Sequence, residues 1–107
     1  MIHNSAVIKN QFVQDSFESY LRNHCKLSDS TVQSYLSNLR TATKILNDSK
    51  IITGSIYDIS PKNLHRVIND LCCNDLFIEK NIKSRFHYTQ AINHYNDFTN
   101  LVSNLCK

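Results

Sequence analysis

Glycine and proline are almost absent from the 107-residue sequence, which contains one of each, Gly54 and Pro61. Phosphate-binding loops and dinucleotide fingerprints need several glycines, because the backbone must approach the phosphate closely. Both kinds of site are therefore excluded. Hairpin turns also depend on glycine, so a hairpin-rich β architecture is disfavoured.

The sequence also lacks an apolar run that approaches the ~18 residues of a membrane span, and its first ten residues lack an apolar signal segment. We therefore expect a cytoplasmic protein with no membrane association.

The four cysteines, Cys25, Cys72, Cys73 and Cys106, form no C-x-x-C pair, which argues against a zinc ribbon or a disulfide framework. We expect reduced, mostly half-buried thiols.

Charge is present in only a small excess, with 12 Lys and Arg against 9 Asp and Glu and a net charge of +3. The placement of the charges therefore matters more than their number.

Only two glutamates are present, and no nucleophile elbow or Cys/His signature accompanies them, so we expect no enzymatic activity. His87 has no Cys or carboxylate three or four residues away and His94 has only Asp97, too few ligands for a zinc site, so we expect neither a metal nor another cofactor.

Apolar spacing predicts one all-α domain over residues 1–107, a four-helix orthogonal bundle that we expect to be monomeric. Its length is sufficient for one core without a disulfide or a structural metal. The four predicted helices cover residues 5–24, 30–47, 61–73 and 84–104. The predicted core consists of Phe17, Leu21, Tyr35, Leu39, Leu64, Ile68, Leu71, Ala91, Tyr95 and Phe98.

Two helix starts have clear signals in the sequence. Ser28, Asp29 and Ser30 are able to cap the second helix, because their side-chain oxygens accept bonds from unpaired backbone amides. Ser60 followed by Pro61 is typical of the start of a third helix, where proline loses no hydrogen bond. Residues 47–59 between these helices are predicted to form an irregular connection.

Two clusters of polar and basic residues suggest a binding surface. A helical wheel places Gln33, Ser37, Arg40 and Lys44 on one stripe of the second helix, with no acid between Val32 and Asn47. A second cluster precedes the last predicted helix, where Ser84 and unpaired helix amides add potential phosphate contacts. Its members are Lys80, Lys83, Ser84, Arg85 and His87. A solvated helix face with a local surplus of positive charge explains the same pattern, and both interpretations remain open at this point.

Three groups of residues occur in an order that resembles the SAM-like core-binding domain of tyrosine recombinases and phage integrases. They are Phe17-x-x-Tyr20-Leu21, Ser30-Thr31-x-x-x-Tyr35-x-x-x-Leu39 and Ala91-x-x-x-Tyr95-x-x-Phe98, with Asp58-Ile59-Ser60-Pro61 between the second and the third. The resemblance covers residues 12–102. The pattern Asn74-x-x-Phe77-x-x-x-Asn81, followed by Tyr88-x-x-Ala91-Ile92, is similar to small helical N-terminal domains of modification-dependent restriction endonucleases.

The resemblance implies a non-enzymatic module that contacts duplex DNA through its second and fourth helices. Arg40, Lys44, Lys83 and Arg85 would then lie at the phosphates. The recombinase catalytic domain has no room in 107 residues, so the chain is expected to be either the N-terminal module of a recombinase or nuclease or a free-standing protein.

The alternative is a small protein-interaction module of a mobile element, an inhibitor or adaptor that uses the same helical surface against a protein partner. Exposure of Phe12, Phe77, Ile78 and Phe86 would favour this alternative.

Overall fold

The computed structural model describes the backbone of residues 4–105 and the side chains from residue 10 onward, so Cys106 lies outside the described residues. The predicted all-α class is confirmed, since this range contains helices and no strand. The number of helices differs from the four predicted, because a short helix precedes the last one. The five helices are α1 Asn4–Ser19, α2 Asp29–Asp48, α3 Pro61–Cys72, α4 Asp75–Lys83 and α5 His87–Leu105.

Helix α1 ends in a π-helical turn, Tyr20–His24, in which the Cys25 amide donates to the Tyr20 carbonyl at 3.0 Å. The Arg22 side chain in this turn bridges two carboxylates. It lies 3.0 Å from Glu18 in α1 and 2.6 Å from Asp29 at the start of α2. The turn therefore ties the two helices together through one guanidinium group.

Helix α2 begins where the cap residues predict. The Ser28 side chain accepts a hydrogen bond from the Thr31 amide at 3.3 Å, and the helix runs from Asp29. The connection after α2 is irregular, as expected, apart from the short 3-10 helix Ile56–Asp58. Asn47 holds this connection, because its side chain bonds both the Gly54 amide, at 3.0 Å, and the Gly54 carbonyl, at 2.7 Å.

Helix α3 begins at Pro61 as predicted, although the Ser60 side chain makes no capping bond. Asn74 directly follows the predicted third helix, residues 61–73, but its side chain caps the next helix, α4, which was not predicted. Its side-chain oxygen accepts a hydrogen bond from the Phe77 amide at 3.0 Å. Helix α5 begins at His87 rather than at residue 84, because the two residues before it, Arg85 and Phe86, have φ values of 58° and 68° that no α-helix contains.

The core lies between α2 and α5, with the other helices packed around this pair. The predicted core residues are buried except Ile68, which is half-buried. Phe17 and Tyr95 meet edge to face at its centre, with ring centroids 5.1 Å apart. Phe77, one of the four residues whose exposure would favour a protein-interaction module, is buried. The expectation of mostly half-buried thiols is wrong for Cys72 and Cys73, which are exposed, while Cys25 is half-buried.

Within residues 4–105, every helix is either too short or too polar to span a lipid bilayer.

Candidate nucleic-acid interface

A polar groove of about 490 Å³ lies between the exposed face of α2 and the start of α5. Five of the residues singled out from the sequence line it: Gln33, Ser37 and Arg40 from α2, Ser84 from the turn before α5, and His87 at the start of α5. These positions are up to 54 residues apart in the chain, and the packing of α2 against α5 brings them together. The remaining lining residues are Ser34, Asn38 and Tyr88. We call this surface the polar groove.

The helical period explains the contribution of α2. Gln33, Ser37 and Arg40 are exposed, while the residues between them that follow the apolar period, Leu36 and Leu39, are buried. Burial of that apolar stripe against α5 fixes the direction of the polar stripe. The side chains of the groove therefore rest on a packed helix rather than on a loop.

The turn between α4 and α5 supplies the other wall, in a geometry that differs from the prediction. Ser84 follows the last residue of α4, so it is not at a helix start with unpaired amides. Its own amide donates to the Lys80 carbonyl at 3.0 Å, and its hydroxyl donates to the Asn81 carbonyl at 3.0 Å. The hydroxyl oxygen keeps acceptor capacity, but the expected donation of free helix amides to a phosphate is wrong for this residue.

A side pocket of about 220 Å³ extends the polar groove along α2 and shares Ser34, Asn38 and His87 with it. The Tyr35 hydroxyl lies 3.5 Å from Gln90 Oε1 across this pocket, and the Tyr35 ring stands 5.0 Å from the His94 ring. Burial raises the pKa of Tyr35, so the hydroxyl keeps its proton and remains a donor.

The lining of the groove and its side pocket consists of hydroxyls, amides, one histidine ring, two tyrosine rings and one guanidinium, and the described lining contains no carboxylate. Hydroxyl, amide and guanidinium groups are the usual donors to phosphate oxygens. An anionic strand would therefore meet the donors of α2 without a repelling charge, whereas the Ser84 hydroxyl already donates to the Asn81 carbonyl.

Two of the predicted basic residues are neutralised locally. Lys44 forms an ion pair with Asp48 at 3.5 Å, and Lys83 bonds Glu79 at 2.8 Å. That hydrogen bond raises the pKa of Lys83 and lowers the pKa of Glu79. Both pairs join residues four apart on a helix. Asp48 directly follows the acid-free segment between Val32 and Asn47, and Glu79 directly precedes the second basic cluster. Neither lysine lines the groove.

Three of the basic residues in the two predicted clusters form no ion pair within the described part of the chain, namely Arg40, Lys80 and Arg85. Arg40 lines the polar groove itself. Arg85 follows Ser84 directly, so it lies at the edge of the groove, whereas Lys80 lies one turn back on α4.

A second depression, of about 350 Å³, lies between α1, the short 3-10 helix and α5. We call it the apolar groove, because its lining is mostly aliphatic and aromatic. It includes Phe12, Val13, Tyr57, Ile59, Tyr95 and Val102. Phe12, which the alternative prediction needs on the surface, is 71% exposed. Ile78 and Phe86 are exposed as well.

Sequence reasoning missed Asn38, Ser34 and Tyr88 as members of the polar groove, and it treated His87 only as part of a charge cluster. Ser34 and Asn38 lie four residues apart on the same face as the predicted stripe, so the helical wheel contains the signal for them. No group of three or more potential metal ligands occurs in the described part of the chain.

Comparisons with known proteins add no relative: no family model matches the chain, and no match was found among curated proteins or solved structures.

Proposed function

We propose that the chain is a non-enzymatic DNA-binding module that holds one strand of a duplex in the polar groove. The observation that carries this proposal is the groove itself, in which Gln33, Ser37, Arg40 and Ser84 meet without a carboxylate in the described lining. Phosphate contacts dominate the affinity of such modules, while base contacts supply the specificity. The groove offers donors suited to the first task.

The relation to the SAM-like core-binding domain of integrases remains part of this proposal. It is supported by the all-α fold and by α2 and α5, which carry two of the residue groups that resemble that domain. We also propose a monomer in the cytoplasm. The exposed thiols of Cys72 and Cys73 suit a reducing compartment.

The experiment is a fluorescence titration of a labelled 20-base-pair duplex at several salt concentrations. With phosphate contacts from Arg40, Lys80 and Arg85, log K is expected to fall against log salt with a slope of about −2 to −3, near −0.9 per contact. The slope is lower than four contacts would give, because Lys44 and Lys83 are paired with acids. We expect a Kd of roughly 10⁻⁴ to 10⁻⁶ M at physiological salt.

The decisive variant is Arg40→Gln, which is expected to weaken binding and to flatten the slope by about 0.9. Lys62→Gln is the matched control, because Lys62 is exposed in the first turn of α3 and lines neither groove. Absence of duplex binding at low salt contradicts the proposal. So does an equal effect of the two substitutions, since that would indicate diffuse attraction rather than a site.

The alternative function, an inhibitor or adaptor that binds a protein, is favoured by one observation, the apolar groove with Phe12 at its edge. The same titration separates the two functions. A protein-interaction module predicts no duplex binding at low salt. The DNA-binding module predicts that Phe12→Ser leaves duplex affinity and the salt slope unchanged.

A further inference from the structure

The turn between α4 and α5 contains two consecutive residues in the left-handed region, Arg85 with φ 58° and Phe86 with φ 68°. Bulky residues rarely adopt this conformation, because the side chain crowds the backbone. Glycine adopts it without strain. The chain nevertheless has a cationic and an aromatic side chain here, and strained residues of this kind cluster at functional sites.

Hydrogen bonds hold this turn in place from both sides. The Phe86 amide donates to the Asn81 carbonyl at 2.7 Å, and the Phe86 carbonyl accepts from the Gln90 amide at 3.1 Å. The Asn81 side chain also accepts from the Thr89 amide at 3.1 Å and donates to the Thr89 hydroxyl. Asn81 in α4 and the first turn of α5 thus fix the backbone that carries Phe86.

The Phe86 side chain is presented to solvent on this fixed backbone, with 56% of its surface exposed. Ser84, two residues before it, and His87, directly after it, line the polar groove, so Phe86 lies at the border of that groove. Two basic residues without an ion-pair partner in the described part of the chain precede it, Arg85 directly and Lys80 by six residues. An exposed aromatic ring beside positive charge has the composition of a surface on which nucleobases stack.

We propose that Phe86 stacks on an unpaired base of the DNA strand whose phosphates occupy the polar groove. This inference rests on the proposed function and adds a preference to it: the preferred ligand carries unpaired bases rather than a continuous duplex. The basic border favours a polyanion over an apolar protein surface. A paired base offers no free face to the ring, whereas every unpaired base does, so the preference does not depend on sequence.

The test compares two labelled DNA molecules of equal length, a 20-base-pair duplex and the same duplex with three unpaired thymines at its centre. The intact chain is expected to bind the second about tenfold more tightly, as one base–aromatic stack provides. Phe86→Leu keeps apolar area but lacks an aromatic ring, and it is expected to lose this preference while duplex affinity stays unchanged.

Two further variants serve as controls. Phe86→Tyr retains the ring and is expected to retain the preference. Ile82→Ala removes a neighbouring apolar side chain that is 58% exposed, and it is expected to retain the preference too. Circular dichroism melting of each variant verifies that it folds, and Phe86→Ala replaces Phe86→Leu if the latter does not.

The outcomes separate this inference from the function on which it rests. Binding of both DNA molecules with equal affinity, or a preference that survives Phe86→Leu, overturns the stacking role alone. An equal loss on both molecules in Phe86→Leu overturns it as well, because the ring would then contact duplex. Failure of the intact chain to bind either molecule overturns the proposed function and leaves Phe86 as part of a protein-binding surface.

Discussion

Tyr57 places a polar hydroxyl group in the otherwise apolar core. Its ring packs edge to face on Tyr95, with centroids 5.3 Å apart, and its hydroxyl is buried without a hydrogen-bond partner in the described part of the chain. The pKa of Tyr57 is raised to about 12, chiefly because burial disfavours the charged form, with smaller opposing effects from Arg40, which lowers it, and the Glu18 carboxylate, which raises it. An unsatisfied buried hydroxyl costs about 1–3 kcal/mol.

Tyr57→Phe is therefore expected to raise the free energy of unfolding by about 1 kcal/mol, because it removes the hydroxyl and keeps the ring. Urea denaturation measures the change. Tyr35→Phe is the control, since the Tyr35 hydroxyl lies 3.5 Å from Gln90 Oε1 and its removal is expected to gain nothing. A loss of stability in Tyr57→Phe as large as that of a buried hydrogen bond would contradict the prediction.

The pH dependence provides a second measurement on the same variant. The folded chain holds the Tyr57 proton up to a pKa of about 12, whereas the unfolded chain releases it near 10. The folded state thus binds more protons between these values, and stability falls as pH rises through this window. Tyr57→Phe is expected to show a smaller fall.

At the scale of the element, α2 was the most predictable part of the chain. Its apolar period identified the buried positions Tyr35 and Leu39, and the cluster Ser28, Asp29 and Ser30 located its start to within one residue. Helix α4 was missed for a physical reason. Leu76, Phe77 and Ile78 are three apolar residues in a row, without helical spacing, and Phe77 alone among them is buried.

The cap of α2 leads to a prediction about the helix as a whole. Ser28→Ala is expected to lower the free energy of unfolding by about 1 kcal/mol, because the Thr31 amide loses its acceptor. Chemical denaturation followed by circular dichroism measures it. Ser30→Ala, one position inside the first turn, is the matched control and is expected to change stability by less than about 0.5 kcal/mol. Equal effects of the two substitutions would mean that Ser28 does not cap the helix.

At the scale of the whole molecule, the sequence predicted which residues share a polar helix face better than it predicted how that face meets the turn before α5. The stripe Gln33, Ser37 and Arg40 follows from helical period, which is local. Its junction with Ser84 depends on the packing of α2 against α5, and the period of either helix alone contains no information about that. The pairing of Lys44 with Asp48 was readable from the four-residue spacing.

The stability of the whole domain is expected to depend on neither a metal ion nor a disulfide. Treatment with a metal chelator or with a thiol reductant is expected to change the Tm by less than about 2 °C, a few tenths of a kcal/mol for a domain of this size. The reason is that one apolar core over α2 and α5 stabilises the fold without metal or disulfide. Thermal unfolding with and without each reagent measures it. A drop of many degrees with chelator would instead identify His87, His94 and the cysteines as ligands.

The residues with positive φ values determine where substitution by glycine would stabilise the chain. Besides Arg85 and Phe86, Lys26 and Lys50 adopt φ values of 57° and 60° just after helical segments, where glycine is the common choice. The single glycine, Gly54, is used elsewhere, in the connection before α3. The sequence is thus not at its thermodynamic optimum. Substitution of Lys26 or Lys50 by glycine, outside both grooves, is expected to raise the free energy of unfolding. The same substitution at Phe86 would relieve backbone strain but would remove the exposed ring.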